Sequence, residues 1–64
     1  MKLQFIGVNK NFWFLEIISN AEKNLKIGQI YTLNKTHVAS SWTAITLVET
    51  GELEYNLMWF KEIK

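Results

Sequence analysis

Sixty-four residues, 48% hydrophobic and 14% aromatic, allow one small domain, and a chain of this size buries only about 60% of the surface its unfolded form exposes. There is no cysteine, which removes disulfide staples and thiolate metal sites and fits a cytosolic compartment. Seven lysines and six glutamates, with no arginine and no aspartate, leave a net charge of +1. Without the arginine fork that reads guanine and phosphate, sequence-specific nucleic-acid recognition is disfavoured.

In chain order, Lys2–Val8 is apolar at nearly every other position and predicts a strand. Asn9-Lys10-Asn11 reads as a hairpin loop, because asparagine tolerates the left-handed conformation of tight turns. Phe12–Ile18 is aromatic and β-branched and predicts a second strand, with Trp13, Leu15 and Ile17 inward and Phe12, Phe14 and Glu16 outward. Residues 19–24 form a polar break. Ser19 and Glu22 have capping-box spacing, and the apolar positions 14, 17/18, 21 and 25 also fit a helical stripe. Three successive aromatics and the nearby Gly28 argue against a long helix, so a single helical turn is expected.

Gln29–Leu33 predicts a third strand, entered through Gly28, where the missing Cβ permits a tight bend. Residues 34–41 are polar and aperiodic and read as an exposed loop. Trp42–Glu49 alternates, with Trp42, Ala44, Thr46 and Val48 on one side and Thr43, Ile45 and Leu47 on the other. Thr50-Gly51 turns the chain into Glu52–Leu57, whose Leu53, Tyr55 and Leu57 share a face. Met58–Phe60 is expected to make a short helical turn before a last strand ending near Ile63. A flat sheet this small leaves one face unburied and two edges open, so closure into a five-stranded barrel is expected over residues 1–64. The expected core is Phe5, Trp13, Leu15, Leu25, Tyr31, Leu33, Ile45, Leu47, Leu53, Tyr55, Phe60 and Ile63.

The pattern Leu25-x-x-Gly28-x-x-Tyr31-x-Leu33, the turn at Gly51 and the closing Phe60-x-x-Ile63 resemble a group of short phage and prophage proteins. That resemblance covers residues 25–63. It implies an all-β, SH3-like barrel with at most one or two short helical turns and a viral origin, and it brings no active site with it. Abundant asparagine, lysine and isoleucine match AT-rich codons, as in a low-GC bacterium or its viruses.

Catalysis is poorly served. His37 is the only histidine, and general-base work needs a partner for the imidazole and a nucleophile within reach. No spacing matches a metal or cofactor site. Glu49, Glu52 and Glu54 make an acidic tip whose ordinary role is to keep a hairpin edge soluble. No apolar run approaches the roughly 20 residues that span a bilayer, and no signal-peptide pattern opens the chain. The aromatic surplus carries the functional expectation. Trp42, Trp59, Phe12 and Phe14 fall outside the expected core and together predict a contact face for a protein partner or a second copy. The chain is therefore expected to be a non-catalytic protein-binding module, an adaptor or inhibitor of a host protein acting in the bacterial cytoplasm. A nucleic-acid-binding barrel with stacking aromatics and lysines is the alternative, and a structural virion component is a further one.

Overall fold

The computed structural model describes residues 1–9 and 15–63. Its strands are β1 (Lys2–Phe5), β2 (Ile30–Val38), β3 (Thr43–Leu47), β4 (Glu54–Asn56) and β5 (Phe60–Ile63), with one helix, α1 (Leu15–Asn24). All pairings are antiparallel, and the strands lie in the order β4-β3-β2-β1-β5. Turns of 3-10 helix occupy Val48–Thr50 and Leu57–Trp59. The fold is mostly β. Among the described residues the sheet does not close, because β4 and β5, of three and four residues, end it without pairing to each other.

The organising strand is β2. At roughly 3.3 Å per residue its nine residues reach about 30 Å, matching the 29 Å long axis of the molecule. Its first half pairs with β1 (Leu3 opposite Tyr31) and its second half with β3 (Thr36 opposite Ile45). The register shifts between Leu33 and Lys35, and a bulge of that kind bends a strand so that it serves two half-sheets. The expected loop over 34–41 is therefore corrected. Residues 34–38 are strand, polar because that arm is exposed beyond the core.

Helix α1 is the second correction. Its ten residues make nearly three turns, where a strand to Ile18 and at most one or two short helical turns are expected. Ile18, Ala21 and Leu25 form the buried stripe, and Leu25 N–H still bonds to the Ala21 carbonyl at 2.9 Å. Glu16 in the first turn and Lys23 in the last both favour the helix dipole. The β-branched Ile17 and Ile18 follow the burial of this stripe, since tertiary packing overrides a propensity of a few tenths of a kcal/mol. Leu15, expected in the core, opens the helix and is 75% exposed. Lys10–Phe14, and with them Phe12, Trp13 and Phe14, lie outside the described residues.

The core forms between the sheet and α1, which packs against β4. Phe5, Leu25, Tyr31, Ile45, Leu47, Tyr55 and Phe60 are buried as expected, while Leu33 and Leu53 are half-buried against them and Ile63 is half-buried. Leu3, Ile18, Ala21 and Trp59 join the cluster. Phe5 and Phe60 face each other at 5.4 Å between ring centroids, and Tyr55 meets Phe60 edge-on at 6.3 Å, the tilted geometries aromatic pairs prefer. The turn into β2 runs through Gly28 at φ 90°, a conformation that an L side chain rarely adopts.

Candidate functional site

Three segments far apart in sequence meet at one end of the sheet. The chain leaving β1 (Phe5–Asn9), the end of α1 with its exit (Glu22, Leu25, Ile27) and the 3-10 turn (Met58, Trp59) line an open cleft of about 670 Å³. Backbone hydrogen bonds lock the segments together. Gly28 N–H donates to the Phe5 carbonyl at 2.7 Å, Phe5 N–H to Gln29 at 3.0 Å and Ile6 N–H to Trp59 at 2.8 Å. Tyr31 holds the helix exit, its hydroxyl accepting from Lys26 N–H at 2.9 Å. The Asn56 side chain caps the 3-10 turn by accepting from Met58 N–H at 2.9 Å.

The floor and rim of the cleft differ in exposure. Phe5, Leu25 and Trp59 are buried beneath it, whereas Ile6, Ile27 and Met58 stand 53%, 76% and 79% exposed around it. Gly7, on the β1 side, adopts φ 114°, so a side chain there would be strained. Among the described lining residues Glu22 is the sole ionisable one, with Asn9 as the other polar side chain.

Trp59 was expected at the surface and is 1% exposed. Its neighbour Phe60 is buried too, because a 3-10 turn advances side chains by about 120° per residue and the period-two rule fails there. Met58, between Asn56 and Trp59, is the residue turned outward. Trp42, expected opposite the core side of its strand, is half-buried against the core instead. It precedes the first residue of β3 in the hairpin tip, where Ala39 N–H bonds to its carbonyl at 2.8 Å, so strand alternation does not reach it. The structure does not bring Trp42 and Trp59 to one exposed face.

The remaining chemistry-bearing groups are dispersed. His37 lies on β2 opposite Ala44, in strand and not in a loop. No group of three or more histidine, cysteine, aspartate or glutamate side chains among the described residues is placed to hold a metal ion. The acidic tip divides. Glu49 accepts from Thr32 N–H with both carboxylate oxygens, at 2.8 and 3.1 Å, and Lys2 Nζ donates to Thr32 Oγ1 at 2.7 Å. The Thr32 N–H, with Lys2 adding a smaller attraction, holds the Glu49 carboxyl below its ordinary 4.5. Glu52 and Glu54 instead border a smaller hollow of about 340 Å³ between α1 and β4, together with Glu16, Ile17, Asn20 and Leu53. No helix among the described residues is long and apolar enough to cross a membrane.

The cleft was not legible in the sequence, because Ile6, Ile27 and Met58 come from three separate segments and only Met58 lies in a regular element, the 3-10 turn. What marks them is that each lies one or two residues from a core position. Compared with known protein families, curated proteins and solved structures, the chain matches none.

Proposed function

We propose that this chain is a non-catalytic protein-binding module, SH3-like in architecture and phage-encoded, an adaptor or inhibitor of a host protein in the bacterial cytoplasm. The observation that carries the binding reading is the apolar cleft: three large side chains, more than half exposed, stand over a floor of buried aromatic and aliphatic ones. Exposed apolar side chains grouped around a concavity are the ordinary mark of a binding site. The SH3-like assignment is supported by the strand order, by a bent β2 shared between two half-sheets and by the 3-10 turn before the last strand. The phage origin and cytoplasmic setting rest on the pattern in residues 25–63, the AT-rich codon preference and the absence of cysteine.

A nucleic-acid groove would place lysines beside its stacking residues, and the described residues lining the cleft include none. Acid–base catalysis needs more than the single carboxylate of Glu22. The test is affinity capture from the lysate of a low-GC bacterium, comparing wild type with an Ile27→Ser/Met58→Ser double variant. Both positions are exposed, so the variant is expected to fold. The expected result is a host protein enriched by wild type and lost by the variant. Identical proteins on both, or none on either, would sink the reading.

A further inference from the structure

The face of the sheet turned away from the core carries an arrangement of charge far from the apolar cleft. Antiparallel register sets Lys35 opposite Thr46 and Thr46 opposite Glu54, so the three stand in one row across β2, β3 and β4. His37 and Ala44 form the next row. Opposed residues, and residues two apart on a strand, share a face. Ile45 and Tyr55, which alternate with them, point into the core, so these rows look outward. Ala44 and Thr46 are short and their flanking residues long, and together with Ile45 they line a hollow of about 300 Å³. Ala44 lies at its base, 2% exposed. Glu54 stands at its β4 rim, where it also borders the hollow beside α1.

We infer that this hollow binds a free α-amino acid, with the carboxylate toward Lys35 and the ammonium toward Glu54. Lys35, His37 and Glu54 are exposed, and their side chains are not paired with any described residue. The Thr46 hydroxyl between them is buried and has no hydrogen-bond partner, a state native structures rarely leave to a buried polar group. Two strand spacings, about 10 Å, separate the Lys35 and Glu54 backbones, which leaves room for a small molecule between their heads.

Charge selects the occupant. A bare anion drawn to Lys35 is repelled by Glu54, and a bare cation drawn to Glu54 is repelled by Lys35. A zwitterion with its two charges on neighbouring atoms satisfies both walls. On the midline, the Thr46 hydroxyl can donate to the carboxylate and accept from the ammonium, and the His37 ring N–H is a second donor on the lysine side. The ligand's own side chain then lies over Ala44. Ligand sites run from about 300 to 1,000 Å³, so a hollow at the lower end suits one amino acid and excludes a nucleotide.

The test titrates the whole 15N-labelled chain by NMR, at low salt and neutral pH, with three probes. They are L-leucine, N-acetyl-L-leucine, which lacks the ammonium, and L-leucinamide, which lacks the carboxylate. L-leucine is expected to move the amide signals of Ala44, Thr46 and Glu54 and to bind about three- to fivefold more tightly than either derivative. Lys35→Gln should bring L-leucine and L-leucinamide to within about twofold of each other, and Glu54→Gln should do the same for L-leucine and N-acetyl-L-leucine. Both positions are exposed, so both variants are expected to fold. Equal affinities for the three probes, or no moved signal, would overturn the proposal, as would variants that keep the wild-type preferences. Signals moving at Gly7, Ile27 and Met58 instead would assign L-leucine to the apolar cleft and overturn it too. Inorganic phosphate moving the same signals as strongly as L-leucine would make the hollow a plain anion site, with the same consequence.

Discussion

Leu47 sits opposite Leu33 at the point where β2 passes from one half-sheet to the other, and it has no exposed surface. Truncating such a side chain costs about 2–5 kcal/mol, while a core this small seldom supplies more than about 3–5 kcal/mol. Leu47→Ala is therefore expected to be largely unfolded at 25 °C by circular dichroism, and a variant melting like wild type would show the register to be wrong. Tyr55 is equally buried, but its hydroxyl lies in the interior without a hydrogen bond of good geometry. Burial pushes that phenol above its ordinary 10, against a smaller opposing pull from the Thr50 hydroxyl. Removing a poorly satisfied buried hydroxyl is nearly neutral, so Tyr55→Phe should keep its stability within about 1 kcal/mol. Glu49 gives the pH dependence. Its folded carboxyl titrates below 4.5, so its contribution is complete above that pH and is lost as pH falls through the lower folded value. Glu49→Gln should melt slightly below wild type at pH 7, and the gap should vanish toward pH 3 in thermal scans. A gap that is constant with pH would show that the carboxylate charge is not what Thr32 recognises.

Elements were legible where local chemistry and tertiary packing agree. The β3–β4 hairpin was legible in Ile45 opposite Tyr55 and the turn at Gly51, φ 72°, although Ala44, expected on the outer side of its strand, is buried too and β3 ends at Leu47. The 3-10 turn before β5 and the Gly28 bend were legible for the same reason. Helix α1 was not, because Ile17 and Ile18 in its first half are β-formers and the 18, 21, 25 stripe decides in favour of helix only when read against the finished sheet. The outer arm of β2 was missed in the other direction, since an exposed antiparallel arm needs no apolar alternation. Of the expected contact residues, Trp42 and Trp59 were misplaced by carrying strand alternation past the ends of strands. The helix makes its own prediction at Lys23, an exposed position in its last turn. Proline there removes the hydrogen bond to the Ser19 carbonyl and clashes with it, at about 3 kcal/mol or more. Lys23→Pro should lose most of its cooperative melt, while Lys23→Ala should stay within about 0.5 kcal/mol of wild type. If Lys23→Pro melts with wild type, α1 does not extend that far.

At the scale of the whole molecule, the sheet of the described residues is open at β4 and β5, and an open edge is a template for pairing with another copy. The β5 edge carries Phe60-Lys61-Glu62-Ile63, with Lys61 and Glu62 exposed. When two copies of one strand pair antiparallel about a two-fold axis normal to the sheet, directly opposed residues share a face, so the axis must pass through a residue opposite its own mate. Centring on residue 61 sets Lys61 against Lys61, and centring on residue 62 sets Glu62 against Glu62. The register that would match Lys61 with Glu62 needs opposed residues on opposite faces and is geometrically closed. Like charges directly opposed are destabilising, so both central registers of β5 self-pairing are disfavoured by the same two residues. Self-association through β5 is therefore not expected at tens of micromolar, and Lys61→Val/Glu62→Val is expected to associate with rising concentration while keeping its fold. The Phe5–Phe60 contact and the β1 register lie on backbone and residues that this variant leaves unchanged, so any association reads the edge and not a loosened core. A double variant that stays monomeric across that range would show that the charges of β5 are not what keeps the edge apart.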